Sequence, residues 1–287
     1  MDLQTLHFFC TAATEGSLTR AAQALNYAQS NLSTRIHALE AELGVALFDR
    51  LPEGVRLTEK GELLFDYAQR MLLLAEETAS AVRDEGVPGG TLLLGSMESA
   101  ALSLLPAMLK RYHERYPRVR TLLHTMPSQQ ATQAVLEHKL DAAVVGGEVS
   151  HPALEAVPLA RERLVLISCD AAPPDELLSR PLVVFPQGCS YRRRLEEIQA
   201  RRGVVPGETM VMNSLSAIFA SVSAGLGVSL FPASTVDALA AGKQIVVTEL
   251  PFSLADIPVS LIHRRAGHVP SSVRAMAQCF AQWRDPI

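Results

Sequence analysis

The apolar residues change rhythm once, at the stretch EGVPGG (85–90), and that change dictates how the chain is organised. Before it, every apolar stripe repeats at helical spacing. After it, short apolar runs of strand length alternate with helical stretches. A mainly helical segment followed by alternating strands and helices implies two folding units, and 287 residues are enough for both.

The first unit reads as three short helices and a hairpin. Leu3, Leu6, Phe9 or Cys10, and Ala13 share one helical face, and Gly16 ends that run. Ser17 is a natural N-cap for a second helix that turns Leu18, Ala21, Ala22 and Leu25 inward. NYA (26–28) makes a tight connection to a third helix carrying Leu32, Ile36, Leu39 and Leu43, with Gly44 closing it. FDRLPEGVRLTEKG then predicts two short extended stretches around a Pro52-Glu53-Gly54 tip. From Glu59 to Glu85 runs one long helical pattern with two adjacent stripes. One is Leu64, Tyr67, Met71, Leu74, Thr78 and Ala81; the other is Phe65, Ala68, Leu72, Ala75, Ala79 and Val82. So broad an apolar face predicts packing on a partner helix.

The third helix carries a second message. Its polar face presents Gln29, Ser30, Ser33, Thr34 and His37. Such a face is ordinarily only solvated. Here it follows another helix across a short turn, and its N-terminal residues can hydrogen-bond base edges and phosphates where a recognition helix enters the major groove. The hairpin would set Arg50, Arg56, Thr58 and Lys60 near the flanking backbone. Residues 1–60 nevertheless hold five Lys plus Arg against seven Asp plus Glu, and the whole chain has a net charge of −4. Phosphate attraction supplies much of DNA affinity, so one such unit should bind weakly and depend on avidity.

Beyond residue 90 the strand candidates begin at Thr91, Val119, Asp141, Arg163, Pro181, Glu208, Val228, Gln244 and Pro258, with a last helix at about 270–283. Strands alternating with helices predict parallel sheets covered on both faces. Ligands in such folds sit where strands end and helices begin. Four strand ends stand out: GSMES (95–99) with Ser96, Glu98 and Ser99; TMPSQQ (125–130) with Ser128; FPQGCSYRRR (185–194) with Gly188, Cys189, Ser190 and Arg192; and MNSLSA (212–217) with Ser214. Each serine taken singly is as readily an N-cap. Arg192, Arg193 and Arg194 point about 100° apart on a helix, so one or two at most face the cleft. An arginine at a helix start is costly unless an anion is near, which points to a small carboxylate effector. The other readings are solvated arginines or ion pairs with Glu196 and Glu197. Glu98 could select an amine-bearing ligand, with Met97, Met126 and Phe185 as apolar lining.

Four separated cysteines give no metal-ligand spacing and fit reduced thiols in a cytoplasmic protein. The N-terminus lacks a signal-peptide pattern, and no apolar run approaches the roughly 18 residues of a membrane helix. Cys189, beside a helix start and arginines, is a candidate for a lowered pKa and redox sensing, with Cys169 as a distant resolving partner. As an enzyme nucleophile it would need a histidine, and His113, His124, His138 and His263 are scattered. A solute-binding transport protein is a third reading, opposed by the N-terminal helices.

The combination of SLTRAAQALN, LEAELGVALFDR and LTEKG, in that order, resembles the LysR-type transcriptional regulators, and the resemblance extends over essentially all of the chain. It implies an α/β fold with an all-α N-terminal domain. Residues 1–60 form a winged helix-turn-helix, and 61–90 a dimerisation helix and hinge. Residues 91–287 form a two-lobed, periplasmic-binding-protein-like effector domain, with lobe I at 91–162 plus 265–287 and lobe II at 163–264. It further implies base contacts from Gln29, Ser30, Ser33 and Thr34, and backbone contacts from Arg50, Arg56 and Thr58; His37, on the same polar face, is a further DNA-binding candidate. Ser99 and Ser128 match positions that contact ligand. Double-stranded DNA, a reversible small effector, a second copy (as homodimer or homotetramer) and RNA polymerase are the expected partners. No cofactor, metal or catalytic residue is expected. The chain departs from the family pattern at Ala28, Thr34 and Glu53.

Overall fold

The computed structural model describes every residue except 53, 84–85, 206, 252–254, 266 and 283–287, with backbone alone at 76, 77, 80 and 83. The chain divides into two compact units, Met1–Arg83 and Asp84–Ile287.

In unit one, α1 (Leu3–Glu15) begins at Asp2, whose carboxylate accepts the Thr5 amide, and ends in a left-handed Gly16. Ser17 caps α2 (Leu18–Ala24) through the Arg20 amide, as its position predicts. After Asn26 at positive φ comes α3 (Gln29–Leu43), again closed by a left-handed glycine, Gly44. The hairpin is β1 (Phe48–Leu51) and β2 (Gly54–Leu57), paired antiparallel. Glu53, the expected wing tip, lies outside the described residues, as do Asp84 and Glu85 at the end of the expected long helix. That helix, α4, runs Glu59–Arg83. The helices and hairpin close over Leu6, Phe9, Ala21, Leu32, Ile36, Leu39 and Leu47, with Ala68 of α4 fully buried. Gly54 is obligatory: its φ is +149°, and a Cβ there would stand 2.1 Å from the Gly16 carbonyl oxygen. That same oxygen accepts the Val55 amide at 3.0 Å, which pins the hairpin to the α1–α2 turn.

Unit two contains, in chain order, β3 (Gly90–Ser96), α5 (Glu98–Ser103), α6 (Leu105–Arg115), β4 (Val119–Thr125), α7 (Ser128–Leu136), β5 (Ala142–Gly146), β6 (Leu154–Ser168), α8 (Pro174–Ser179), β7 (Leu182–Val184), α9 (Ser190–Arg202), β8 (Thr209–Val211), α10 (Leu215–Ser223), β9 (Ser229–Pro232), α11 (Ala233–Leu239), β10 (Val246–Glu249), β11 (Asp256–Arg264) and α12 (Ser271–Ala281). The sheet order is β10-β6-β11-β5-β3-β4, with β9 also on β6, and β7-β8 pair separately. All five residues of β5 are buried. Ala142 and Val144 face the core shared with α6 and α12, while Ala143 and Val145 face α7. Helices on both faces turn a strand into a continuous apolar run.

The expectation of parallel sheets is only half right. β3 is parallel to β4 and β5, and β7 to β8. β11 is antiparallel to both β5 and β6, and β6 is antiparallel to β9 and β10. The cause is β6, which is 15 residues long and starts at Leu154, well before the apolar run at Arg163. Its first part pairs with β11 and its buried end lies between β9 and β10. The lobe boundary drawn at 162/163 therefore falls inside one strand. β11, assigned whole to lobe II, pairs through Val259–His263 with β5 of lobe I.

Candidate functional site

In unit one the polar residues of α3 project outward. Gln29, Ser30, Thr34 and His37 are exposed and Ser33 is half-buried, while Leu32, Ile36 and Leu39 on the opposite side are buried. Ala28 is the N-cap and offers no side-chain hydrogen bond; the Asn31 amide donates to the Ala28 carbonyl at 3.1 Å, and the helix start is the end that attracts phosphate. The Thr34 hydroxyl donates to the Ser30 carbonyl at 2.9 Å, leaving an oxygen free to accept. Glu40, which the sequence did not single out, organises the approach. One carboxylate oxygen accepts the amides of Leu47 at 2.8 Å and Phe48 at 3.3 Å. The other lies 3.3 Å from His37 Nδ1, whose Nε2 meets the Arg50 guanidinium. The α3 face and the start of the hairpin are thus locked in register.

Arg56 is exposed and 3.5 Å from Asp49. Thr58 does not stand free as expected. Its hydroxyl donates to the Ala46 carbonyl at 2.8 Å and accepts the Gly61 amide at 3.0 Å, so it caps α4. A Thr immediately before a helix meets unpaired amides, and capping outcompetes an outward role.

In unit two a cavity of about 280 Å³ opens between the lobes. Of the residues expected there it takes Glu98, Ser99, Ser128, Cys189 and Ser190, with Met97, Met126 and Phe185 as apolar lining. An adjoining cavity of about 580 Å³ takes Gly188 and Arg192, and shares Ser128, Cys189 and Ser190. Ser96 is fully buried, donates to the Met97 carbonyl at 2.9 Å, and lines neither. Ser214 caps α10 through the Ala217 amide and also stands outside both; its neighbour Asn213 lines the first.

Three helices begin at the first cavity. α5, α7 and α9 have Met97, Pro127 and Cys189 as N-caps, and none makes a side-chain capping bond. Helix starts favour an anion, although the Gln129 amide of α7 donates to the Gly188 carbonyl at 3.3 Å and the Tyr191 and Arg192 amides of α9 point at the Cys189 sulfur. Among the described residues neither Lys nor Arg lines this cavity. The arginine run is otherwise engaged: Arg192 pairs with Glu196 at 2.8 Å, and Arg194 pairs with Glu197 at 3.1 Å and donates to the Asp256 carbonyl at 2.7 Å. Arg193 is the exposed one. Arg192, which lines the second cavity, is thus ion-paired there with Glu196. The single carboxylate in the lining, Glu98, accepts the Leu215 amide at 3.2 Å.

Tyr191, Gln130, Thr125 and Asn213 complete the wall and were not singled out in the sequence. The Tyr191 hydroxyl lies 2.8 Å from Ser99 Oγ, and donates to Glu162 at 3.0 Å behind the wall. Burial, opposed by that hydrogen bond, raises the Glu162 carboxyl to about 7. Glu162 shares a strand face with the buried Leu164 and Leu166, a signal legible only once β6 is extended backward. Cys189 reverses its expected chemistry. Burial pushes its thiol up, outweighing the amides of Arg192 and Tyr191 that pull it down. Cys169 packs instead beside Gly225 and Asp170. Among the described residues no group of His, Cys, Asp and Glu is placed to hold a metal ion, and no helix is long and apolar enough to cross a membrane.

A helix-turn-helix with a wing, followed by a two-lobed α/β unit with a ligand-sized cavity, defines a DNA-binding regulator with a small-molecule effector domain. Residues 3–62 match the bacterial regulatory helix-turn-helix protein family, lysR type, and residues 85–285 match the LysR substrate binding domain. The chain is 36% identical over 281 residues to the uncharacterized HTH-type transcriptional regulator YusT of Bacillus subtilis, covering 98% of this chain and 95% of that one. It is 39% identical over 240 residues to the HTH-type transcriptional regulator GltR of the same species, covering 82% and 81%. Its fold matches full-length CbnR, solved in complex with target DNA, with a TM-score of 0.74 at 23% identity over 98% of this chain and 99% of that one. The chain belongs to the LysR family of transcriptional regulators and, like these relatives, is not an enzyme.

Proposed function

We propose that this regulator reads a partly palindromic duplex through Gln29, Ser30, Ser33, Thr34 and His37, with Arg50 and Arg56 on the flanking phosphates, under the control of a small carboxylate in the interlobe cavity. The observation that carries the effector half is the meeting of three helix starts, α5, α7 and α9, in one cavity. Ser99 and Ser128 supply hydroxyls, and Glu98 accepts an amine where the ligand carries one. No cofactor is needed beyond this reversible effector.

The working form is a homodimer or a dimer of dimers. Leu63, Tyr67, Met71 and Leu74 of α4 are exposed at helical spacing, which supports self-association on that helix. A two-fold protein on a two-fold site also compensates for an acidic DNA-binding unit. The protein acts in the cytoplasm, where RNA polymerase is the further partner.

Selection of bound sites from a random duplex library at about 0.15 M salt, the Debye regime of the cell, tests the reading. Enrichment of an inverted repeat is expected, with a half-site spacing that reports the dimer geometry. Sequence-blind binding, with and without small carboxylates, overturns it.

A further inference from the structure

Among the described residues Glu162 is a carboxyl group without an ion pair, set one side chain behind the effector cavity. Its strand neighbours point the other way and are committed elsewhere. Arg161 donates to Asp256 at 2.6 Å, and Arg163 to Glu249 at 2.7 Å. Across the ladder on β11 it faces Ile257. From α9 it meets Tyr191, with the Cys189 thiol beyond, and Arg194 of the same helix is taken by Glu197 and the Asp256 carbonyl. From the start of α5 come Ser99 and Met97, both within reach of the Tyr191 hydroxyl, while the Glu98 carboxylate turns to the Leu215 amide.

The result is a chain of three hydroxyl-bearing groups: Ser99, Tyr191 and Glu162. Tyr191 has one proton to give. When Glu162 is ionised it can only accept, so Tyr191 donates to it and takes its own hydrogen bond from Ser99. The Ser99 proton then points away from the cavity, and the cavity meets an acceptor. When Glu162 is protonated the chain reverses: Glu162 donates to Tyr191, Tyr191 to Ser99, and the Ser99 proton is free to point at a ligand.

We propose that Glu162 is a positioning residue that sets, through Tyr191, whether Ser99 offers the cavity a donor or an acceptor, so that seating a carboxylate draws one proton from solvent onto Glu162. This rests on the carboxylate reading of the cavity. Burial keeps both forms of Glu162 accessible near neutral pH, which is the range where such a switch is useful. No covalent bond changes; one proton moves from water to the Glu162 carboxylate and returns when the ligand leaves.

The test is calorimetry on the full chain with sodium butyrate as probe, in pairs of buffers of different ionisation enthalpy, at pH values either side of 7. Wild type should take up close to one proton per butyrate above the Glu162 midpoint and none below it. Its affinity should fall about tenfold per pH unit above that midpoint. Glu162→Gln, which carries a donor and an acceptor but no titrating proton, should bind with no uptake and a flat pH profile. Tyr191→Phe, which cuts the chain and leaves Glu162 in place, should also lose the uptake, and it covers the case in which the Gln variant fails to fold. Butyrate binding to wild type without proton uptake, or uptake that survives both variants, overturns the proposal and leaves the carboxylate reading standing. Binding of butylammonium in place of butyrate overturns the carboxylate reading, and the proposal falls with it.

Discussion

The hydroxyl of Ser128 accepts the amide proton of Gly146 at 3.1 Å, joining the first turn of α7 to the last residue of β5 at the cavity wall. Both groups are buried. On the Gly146 side there is no spare room, since a Cβ there would stand 2.9 Å from Ser190 Oγ and 3.2 Å from Met97 Sδ, whereas Ser128 borders both cavities. Ser128→Ala leaves a buried N–H without its acceptor, which costs about 1–3 kcal/mol. Ser128→Thr keeps the oxygen and most of that stability. Urea unfolding midpoints of the two variants should separate accordingly; equal midpoints would mean that water reaches the amide.

Gly54→Ala should disable the DNA-binding unit from a residue that need not touch DNA. The new methyl meets backbone at the Gly16 carbonyl, and neither partner is a flexible side chain. The cost should exceed the roughly 1–3 kcal/mol of a strained backbone position alone. Thermal unfolding should show an early transition with loss of duplex binding, whereas Val55→Ala, which keeps the amide bond to Gly16, should be milder.

Ser33 and Arg50 should fail differently. Ser33→Ala removes a hydroxyl from the α3 face and should relax sequence preference with little change in affinity for random duplex. Arg50→Ala should weaken binding to every sequence and reduce the salt slope by about one. His37→Ala should reproduce part of the Arg50 effect, because His37 holds the guanidinium in place. Salt titrations of the three proteins on one selected site and one scrambled duplex separate these outcomes.

The raised Glu162 carboxyl also makes a statement about stability. Its folded value of about 7 lies above the ordinary 4.5, so the folded chain keeps a proton that the unfolded chain has released. Its contribution to stability is complete below the ordinary carboxyl range and is lost as pH rises through about 7. The stability of Glu162→Gln relative to wild type should therefore climb across that window and level off above it. A difference independent of pH would place the carboxyl in contact with solvent.

The elements of the first unit were legible because their signals are local, although Leu3 and Leu43, placed on the inward faces of their helices, are exposed. Ser17, Gly16 and Gly44 cap helices where sequence places them, and Leu32, Ile36 and Leu39 face inward at helical spacing. The effector unit was legible in its elements and not in their pairing. Register between β11, β5 and β6 depends on contacts a hundred residues apart in sequence, which no local pattern encodes. The first part of β6, LEAVPLARER, has no period-two alternation and carries a proline at 158, so it does not read as a strand, and Glu162 is not legible with it. Ser99, Ser128 and Cys189 were found because they stand beside helix starts. Tyr191 is not legible locally, because its role comes from Ser99 and Glu162, 92 and 29 residues away, whereas the three arginines after it are engaged largely by neighbouring carboxylates and carbonyls.

β6 and β11 run unbroken through both lobes, so the lobes are joined by a hydrogen-bonded ribbon in addition to any loop. Turning one lobe against the other means twisting that ribbon, and its ladder supplies a restoring torque. The ribbon has a soft stretch: the register slips between Val259 and Ser260, and Pro158 and Pro258, which have no amide proton, sit on its two strands there. A domain joined in this way should resist lobe rotation as a torsion spring does, with a weak coil at that slip. Its sensitivity is therefore tunable at Pro158 and Pro258 without altering a single group that meets ligand or DNA.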